Sequence, residues 1–109
     1  MTPEGKVVAL IKKRIKEAGG EVRKCAWENC RGAPDLLVML PGIHAWIEAK
    51  TETGKLGPHQ AREHTRMTTA GCKVYVVFGE DQAQALVSHL ISVSRSGVEE
   101  PVSYTHLRA

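Results

Sequence analysis

Asp35, Glu48 and Lys50 are the residues of this chain whose types and spacing best suit chemistry. Asp35 precedes an apolar run over residues 36–40, and Glu48 and Lys50 follow a second run over residues 43–47, with Pro41-Gly42 between the two. Pro-Gly punctuates chains at turns, and short apolar runs bounded in this way read as the strands of a hairpin. A turn symmetric about Pro41-Gly42 pairs Leu40 with Ile43, Val38 with Ala45 and Asp35 with Glu48. Directly opposed side chains sit about 4.5–5.5 Å apart at Cβ. Two carboxylates so placed repel unless a cation or a shared proton lies between them. The strand period of two then puts Lys50 on the same face as Glu48. Two acids and an ammonium held together suit a metal site with a basic helper. A one-residue slip in register sends Asp35 to the other face, and a hairpin with solvated charges at its frayed ends is the other reading of the same residues.

The elements around this hairpin can be read from the pattern. Thr2 followed by Pro3 is a helix start, a hydroxyl cap before proline at the first helical position, and Gly19-Gly20 is a stop. Val8, Ile11, Ile15 and Ala18, with Val7 beside them, form one apolar stripe. Extended backward, the stripe reaches Glu4, which points Glu4 toward the core side at the first turn; a carboxylate favoured there only by the helix dipole is the alternative. Residues 21–27 read as a strand and residues 28–34 as a loop of turn formers leading into Asp35. The run over residues 36–40 is apolar on both faces, which suits a strand inside a sheet. A polar connection carrying Lys55 leads to a second helix, opened by Pro58 and closed by Gly71, with Gln60 on the same face as His64 and Met67. Residues 73–78 form a β-branched and aromatic strand, and Ala83, Leu86, Val87, Leu90 and Ile91 mark a third helix beginning at Glu80 or Asp81. The fold class is α/β: a mixed sheet of about four strands flanked by helices, in the order α-β-β-β-α-β-α.

Composition narrows the function classes. The chain has 109 residues, 42% hydrophobic and 25% charged, with a net charge of +3, which fits one globular domain and a mild preference for anionic partners. No apolar run approaches the roughly 20 residues that cross a bilayer, and the N-terminus lacks the layout of a signal peptide, so a cytoplasmic protein without membrane contact is expected. Cys25, Cys30 and Cys72 are odd in number and read as reduced thiols. Residues 1–100 are expected to be the domain, and residues 101–109 a non-native or disordered tail excluded from functional reasoning.

In that order of elements, Gly32-Ala-Pro34-Asp35 and Glu48-Ala49-Lys50, with Glu4 early in the first helix and Gln60 downstream, resemble the VRR-NUC (virus-type replication-repair nuclease) domain of the PD-(D/E)xK nuclease superfamily. The resemblance covers roughly residues 2–91. It implies a Mg²⁺- or Mn²⁺-dependent DNA endonuclease, structure-selective on branched DNA such as Holliday junctions, paired as a homodimer and of phage or bacterial origin. Asp35, Glu48 and the Ala49 main-chain carbonyl would hold the metal, with Glu4 acting through a water or a second ion. Lys50 would orient or deprotonate the attacking water, and Gln60 would position water or phosphate. The residue types meet a physical need: Mg²⁺ takes hard oxygen ligands and uses one or two carboxylates while keeping several waters.

Among the basic residues that would meet phosphates, Arg31 adjoins the Gly-x-Pro-Asp loop and Lys55 lies in the connection after Lys50. Trp27 reads as a core residue, with stacking on an unpaired base as the other role. Two rival functions are a catalytically silent nucleic-acid-binding module on the same fold, and a zinc site built from Cys25-x4-Cys30 and His59-x4-His64, whose separation exceeds the usual finger interval.

Overall fold

A computed structural model describes residues 1–97. The expected break between a domain over 1–100 and a tail over 101–109 lies outside the described residues. The elements are α1 (Pro3–Glu17), β1 (Glu21–Lys24), β2 (Leu36–Leu40), β3 (Ile43–Lys50), α2 (Pro58–Thr69), β4 (Val74–Phe78) and α3 (Gly79–Ser96). This is the expected order. One four-stranded sheet runs β1-β2-β3-β4, antiparallel across the first two pairings and parallel between β3 and β4.

The mixed topology follows from the connections. Pro41-Gly42 is too short for anything but a hairpin, and Gly42 takes the positive φ, 80°, that the turn requires. The return to β4 instead passes through α2, which makes β4 parallel to β3. β2 is an interior strand, as its two-sided apolarity implied.

Burial sorts the sheet into two faces. Leu36, Val38 and Leu40 of β2 and Ile43, Ala45, Ile47 and Ala49 of β3 pack with Val7, Ile11 and Ile15 of α1 and with Ala83, Leu86, Val87 and Leu90 of α3. The intervening positions of β3 are His44, Trp46, Glu48 and Lys50, and they point to the opposite face. There α2 packs against β4, with His64 and Met67 as its buried residues. The catalytic candidates on β3 therefore alternate with the core residues that fix them.

Three local expectations are corrected. The α1 stripe centres on Val7, Ile11 and Ile15 rather than on Val8; Glu4, three residues before Val7 and seven before Ile11, keeps to that side of the helix but is exposed at its first turn. β1 ends at Lys24, short of the expected Trp27, since the chain leaves the sheet after Cys25 donates its N–H to the Asp35 carbonyl at 2.7 Å. α3 begins at Gly79, one residue ahead of Glu80. The Thr2 cap is as expected, with its Oγ1 accepting from the Gly5 N–H at 3.0 Å. Among the described residues, no helix is long and apolar enough to cross a membrane.

Candidate active site

The hairpin register carries the site. Leu40 pairs with Ile43, Val38 with Ala45 and Leu36 with Ile47, so Asp35, one residue before β2, stands opposite Glu48. Glu48 is buried at 8% exposure, a position that a carboxylate occupies only with compensation. Its two oxygens face different partners: Lys50 Nζ lies 3.9 Å from Oε2, and His64 Nε2 lies 4.0 Å from Oε1. Burial pushes the Glu48 pKa up to about 7; the Lys50 charge works against this, and the charges of Asp35 and Glu4 add to it. Although exposed, Glu4 therefore acts on Glu48 electrostatically.

Asp35 is set by its main chain as much as by its side chain. Besides the bond from Cys25, the indole Nε1–H of Trp27 donates to the Pro34 carbonyl at 2.7 Å. The Trp27 ring packs on Trp46 with centroids 5.0 Å apart and planes inclined at 53°. Trp27 is 39% exposed, so it is not the core residue expected from the sequence; it clamps the loop that delivers Asp35. Lys24 Nζ lies 4.0 Å from Asp35 Oδ2. Trp27→Phe keeps the ring contact and removes the donor, and is expected to cost about 1 kcal/mol in chemical denaturation. An unchanged midpoint would show that the Pro34 carbonyl does not need the indole.

The Gly-x-Pro-Asp loop is seated on the start of α2. Gly32 has a φ of 89°, and a Cβ there would lie 2.5 Å from the His59 carbonyl oxygen and 2.8 Å from the Gln60 nitrogen. Only glycine permits this approach. Gln60 is thereby placed beside the Asp35 loop, but its side-chain oxygen accepts from the Gly57 N–H at 2.9 Å and caps α2. Its amide nitrogen is the end chemically suited to a phosphate oxygen.

Arg31 is exposed, and its charge holds the His59 imidazole below its ordinary pKa, with burial and Arg62 adding to the effect. Lys55 is also exposed, on a connection that folds back over Lys50: a Cβ on Gly54 would lie 3.3 Å from Lys50 Cβ. The Ala49 side chain lies in the core at 3% exposure, with Ala49 paired to Val77 across the parallel ladder.

Among the described residues, no three His, Cys, Asp or Glu side chains converge as a metal cage. Cys25, Cys30, His59 and His64 thus do not form the zinc cluster that their spacing allowed. Glu4, Asp35 and Glu48 do not close into a three-carboxylate cage either. What Asp35 and Glu48 offer is the smaller requirement of Mg²⁺ or Mn²⁺, a pair of carboxylates with water completing the shell. Glu48, buried beside Asp35 and Glu4, meets the Lys50 ammonium at 3.9 Å, and Asp35 meets that of Lys24 at 4.0 Å; three acids against two ammoniums make a hard oxygen site short of positive charge. The residues fit such an ion.

Sequence reasoning missed His64 as part of this site, reading it only as a helix-face or zinc-spacing residue. The available signal was its place one turn after Gln60 on the same face.

A mixed sheet with Asp35 and Glu48-Ala49-Lys50 on paired strands and helices on both faces defines the PD-(D/E)xK class of nuclease folds. A solved structure described as "VRR_NUC domain" is similar to this chain with a TM-score of 0.75 and 44% sequence identity, over 82% of this chain and 98% of that one. The chain is also 36% identical over 73 residues to "Putative nuclease p44" of Acyrthosiphon pisum secondary endosymbiont phage 1, covering 66% of this chain and 78% of that protein. No family model matches the chain. The chain belongs to the VRR-NUC nuclease family.

Proposed function

We propose that this protein is a divalent-metal-dependent DNA endonuclease that hydrolyses phosphodiester bonds in branched DNA such as Holliday junctions. The observation that carries this reading is the buried Glu48 carboxylate, opposite Asp35 and within 3.9 Å of Lys50, in a chain of a nuclease family.

Asp35, Glu48 and the Ala49 main-chain carbonyl would hold Mg²⁺ or Mn²⁺, with Glu4 adding negative charge through a water or a second ion. When bound, the ion would lower the pKa of a water and neutralise charge on the phosphate oxygens. Lys50, as an ammonium, orients the attacking water, whose proton passes to solvent, and stabilises the negative charge that grows on the phosphate. Gln60 positions water or phosphate through its amide nitrogen. The reaction consumes one water and leaves a phosphate monoester and a hydroxyl.

Arg31 and Lys55, exposed on the two loops that flank the site, are placed to meet the DNA backbone, a contact that depends on charge rather than sequence. A homodimer would present two sites to two strands of a branched substrate.

The test is cleavage of labelled four-way junction, flap and linear duplex DNA with Mg²⁺, Mn²⁺ or EDTA, alongside the mass in solution. Cutting that EDTA abolishes, ranked with the junction first, is expected from a dimer. Tight binding without cutting under any metal would instead mark a catalytically silent binding module.

A further inference from the structure

His64 carries a cost that the fold alone does not account for. The residue is 8% exposed on the buried face of α2, a helix whose apolar surface is otherwise poor. Both of its ring nitrogens are buried without a hydrogen-bond partner among the described residues. Buried polar atoms nearly always find partners, and leaving one unpaired costs about 1–3 kcal/mol. His64 lines a cavity together with Val74 and Val76, where a leucine would carry no such penalty.

What surrounds the ring suggests its purpose. Nε2 lies 4.0 Å from Glu48 Oε1, beyond a hydrogen bond but within a small rotation of one. Gly32, in the loop that delivers Asp35, brings a backbone acceptor near the ring, but at a geometry short of a hydrogen bond, so neither ring nitrogen is satisfied by it. His64 thus lies beside both halves of the Gly-x-Pro-Asp and Glu-x-Lys constellation. Burial holds the imidazole below its ordinary pKa, which the Glu63 charge and the Gly32 backbone oppose; a neutral ring has one N–H to give and one lone pair to keep.

We propose that His64 is a positioning residue for Glu48: its Nε2–H donates to Oε1, fixes the carboxylate, and leaves Oε2, on the Lys50 side, as the oxygen presented to the divalent ion. The inference rests on the metal-dependent reading above. Hydrogen bonds of this kind are often long in the unloaded site and tighten once the ligand is in place. Lys50 and His64 then divide the carboxylate between them, one oxygen each.

The experiment compares wild type, His64→Leu and His64→Gln. Mn²⁺ binding is measured by titration calorimetry, folding by thermal unfolding, and junction cleavage as kcat and KM separately. Leucine keeps the bulk and loses the donor; glutamine restores a donor. Loss of a hydrogen-bonding partner to a metal ligand typically costs 10–100-fold in metal affinity or activity. His64→Leu is therefore expected to bind Mn²⁺ about 10–100-fold more weakly and to lose kcat with KM for DNA unchanged, while His64→Gln recovers most of both.

A leucine variant that binds Mn²⁺ and cuts like wild type overturns the inference, and so does a glutamine variant as impaired as the leucine one. If His64→Leu lacks a cooperative unfolding transition, His64→Met supplies the donor-free comparison. Wild type that binds no Mn²⁺ overturns the metal-dependent reading itself, and this inference with it.

Discussion

Replacing Lys50 by alanine is expected to lower kcat for junction cleavage by about a thousandfold while leaving the metal site intact. The ammonium is the one cation set against the Glu48 carboxylate on its own strand, at 3.9 Å. It is only partly exposed, with 19% of its side chain reaching solvent. Removing a positioned donor to a developing oxyanion costs about 10²–10³-fold.

Asp35 and Glu48 remain in the variant, so Mn²⁺ binding should survive. Above neutral pH it should be at least as tight as in wild type, because a positive charge that opposes the incoming ion has gone. The Lys50 charge also holds down the Glu48 pKa; without it Glu48 keeps its proton to higher pH, and binding in the variant should fall more steeply below neutrality. Calorimetric titration at two pH values, with cleavage measured on the same preparation, separates these effects. Cleavage within tenfold of wild type would remove Lys50 from the chemistry and leave it as a counter-charge.

The hairpin is legible in the sequence because its loop is so short. With only Pro41-Gly42 between the runs, few registers are possible, and the alternation of core and site residues along β3 rules out a slip. The Asp35 and Glu48 opposition follows directly from the observed pairing of Leu36 with Ile47.

Glu4 was less legible. The 3.6-residue period gives its side of α1, three residues before Val7 and seven before Ile11, but not its depth, since the first turn of a helix can stand clear of the core that the later turns bury. The loop between β1 and β2 has no periodicity at all, and Asn29 adopts a left-handed φ of 56° there. The indole clamp spans that loop, from Trp27 to the Pro34 carbonyl, and a residue pattern does not encode it. His64 was hidden for a related reason. Its helix looked weakly amphipathic, and what lies under it depends on α2 crossing back to the face that carries Glu48.

Glu48→Gln is expected to abolish cleavage and yet to stabilise the metal-free protein above neutral pH. In the folded chain the Glu48 pKa is raised from 4.5 to about 7, so between those values the native state holds a proton that the unfolded chain releases. The stability this supplies is fully present below the unfolded pKa and is lost as pH rises through the folded one. At about 1.4 kcal/mol per unit, and discounted for partial solvent access, the loss amounts to roughly 1–3 kcal/mol by pH 8. Glutamine has the same shape without the titration. The metal-free variant should therefore match wild type near pH 4.5 and exceed it by that margin at pH 8, in denaturant titrations with EDTA present.

A divalent ion reverses the comparison. Wild type gains stability by mass action from an ion that binds only the folded chain, and gains more at pH 8 than at pH 6, where the ion must displace the Glu48 proton. The glutamine variant, lacking one ligand carboxylate, should gain little at either pH. Equal stability of the two metal-free proteins at pH 8 would mean that Glu48 is already compensated by Lys50 and His64. Equal stabilisation of both by Mn²⁺ would move the ion away from Glu48. The carboxylate that costs the empty fold stability is the one that the ion is expected to need, so one substitution should improve the scaffold and end the chemistry.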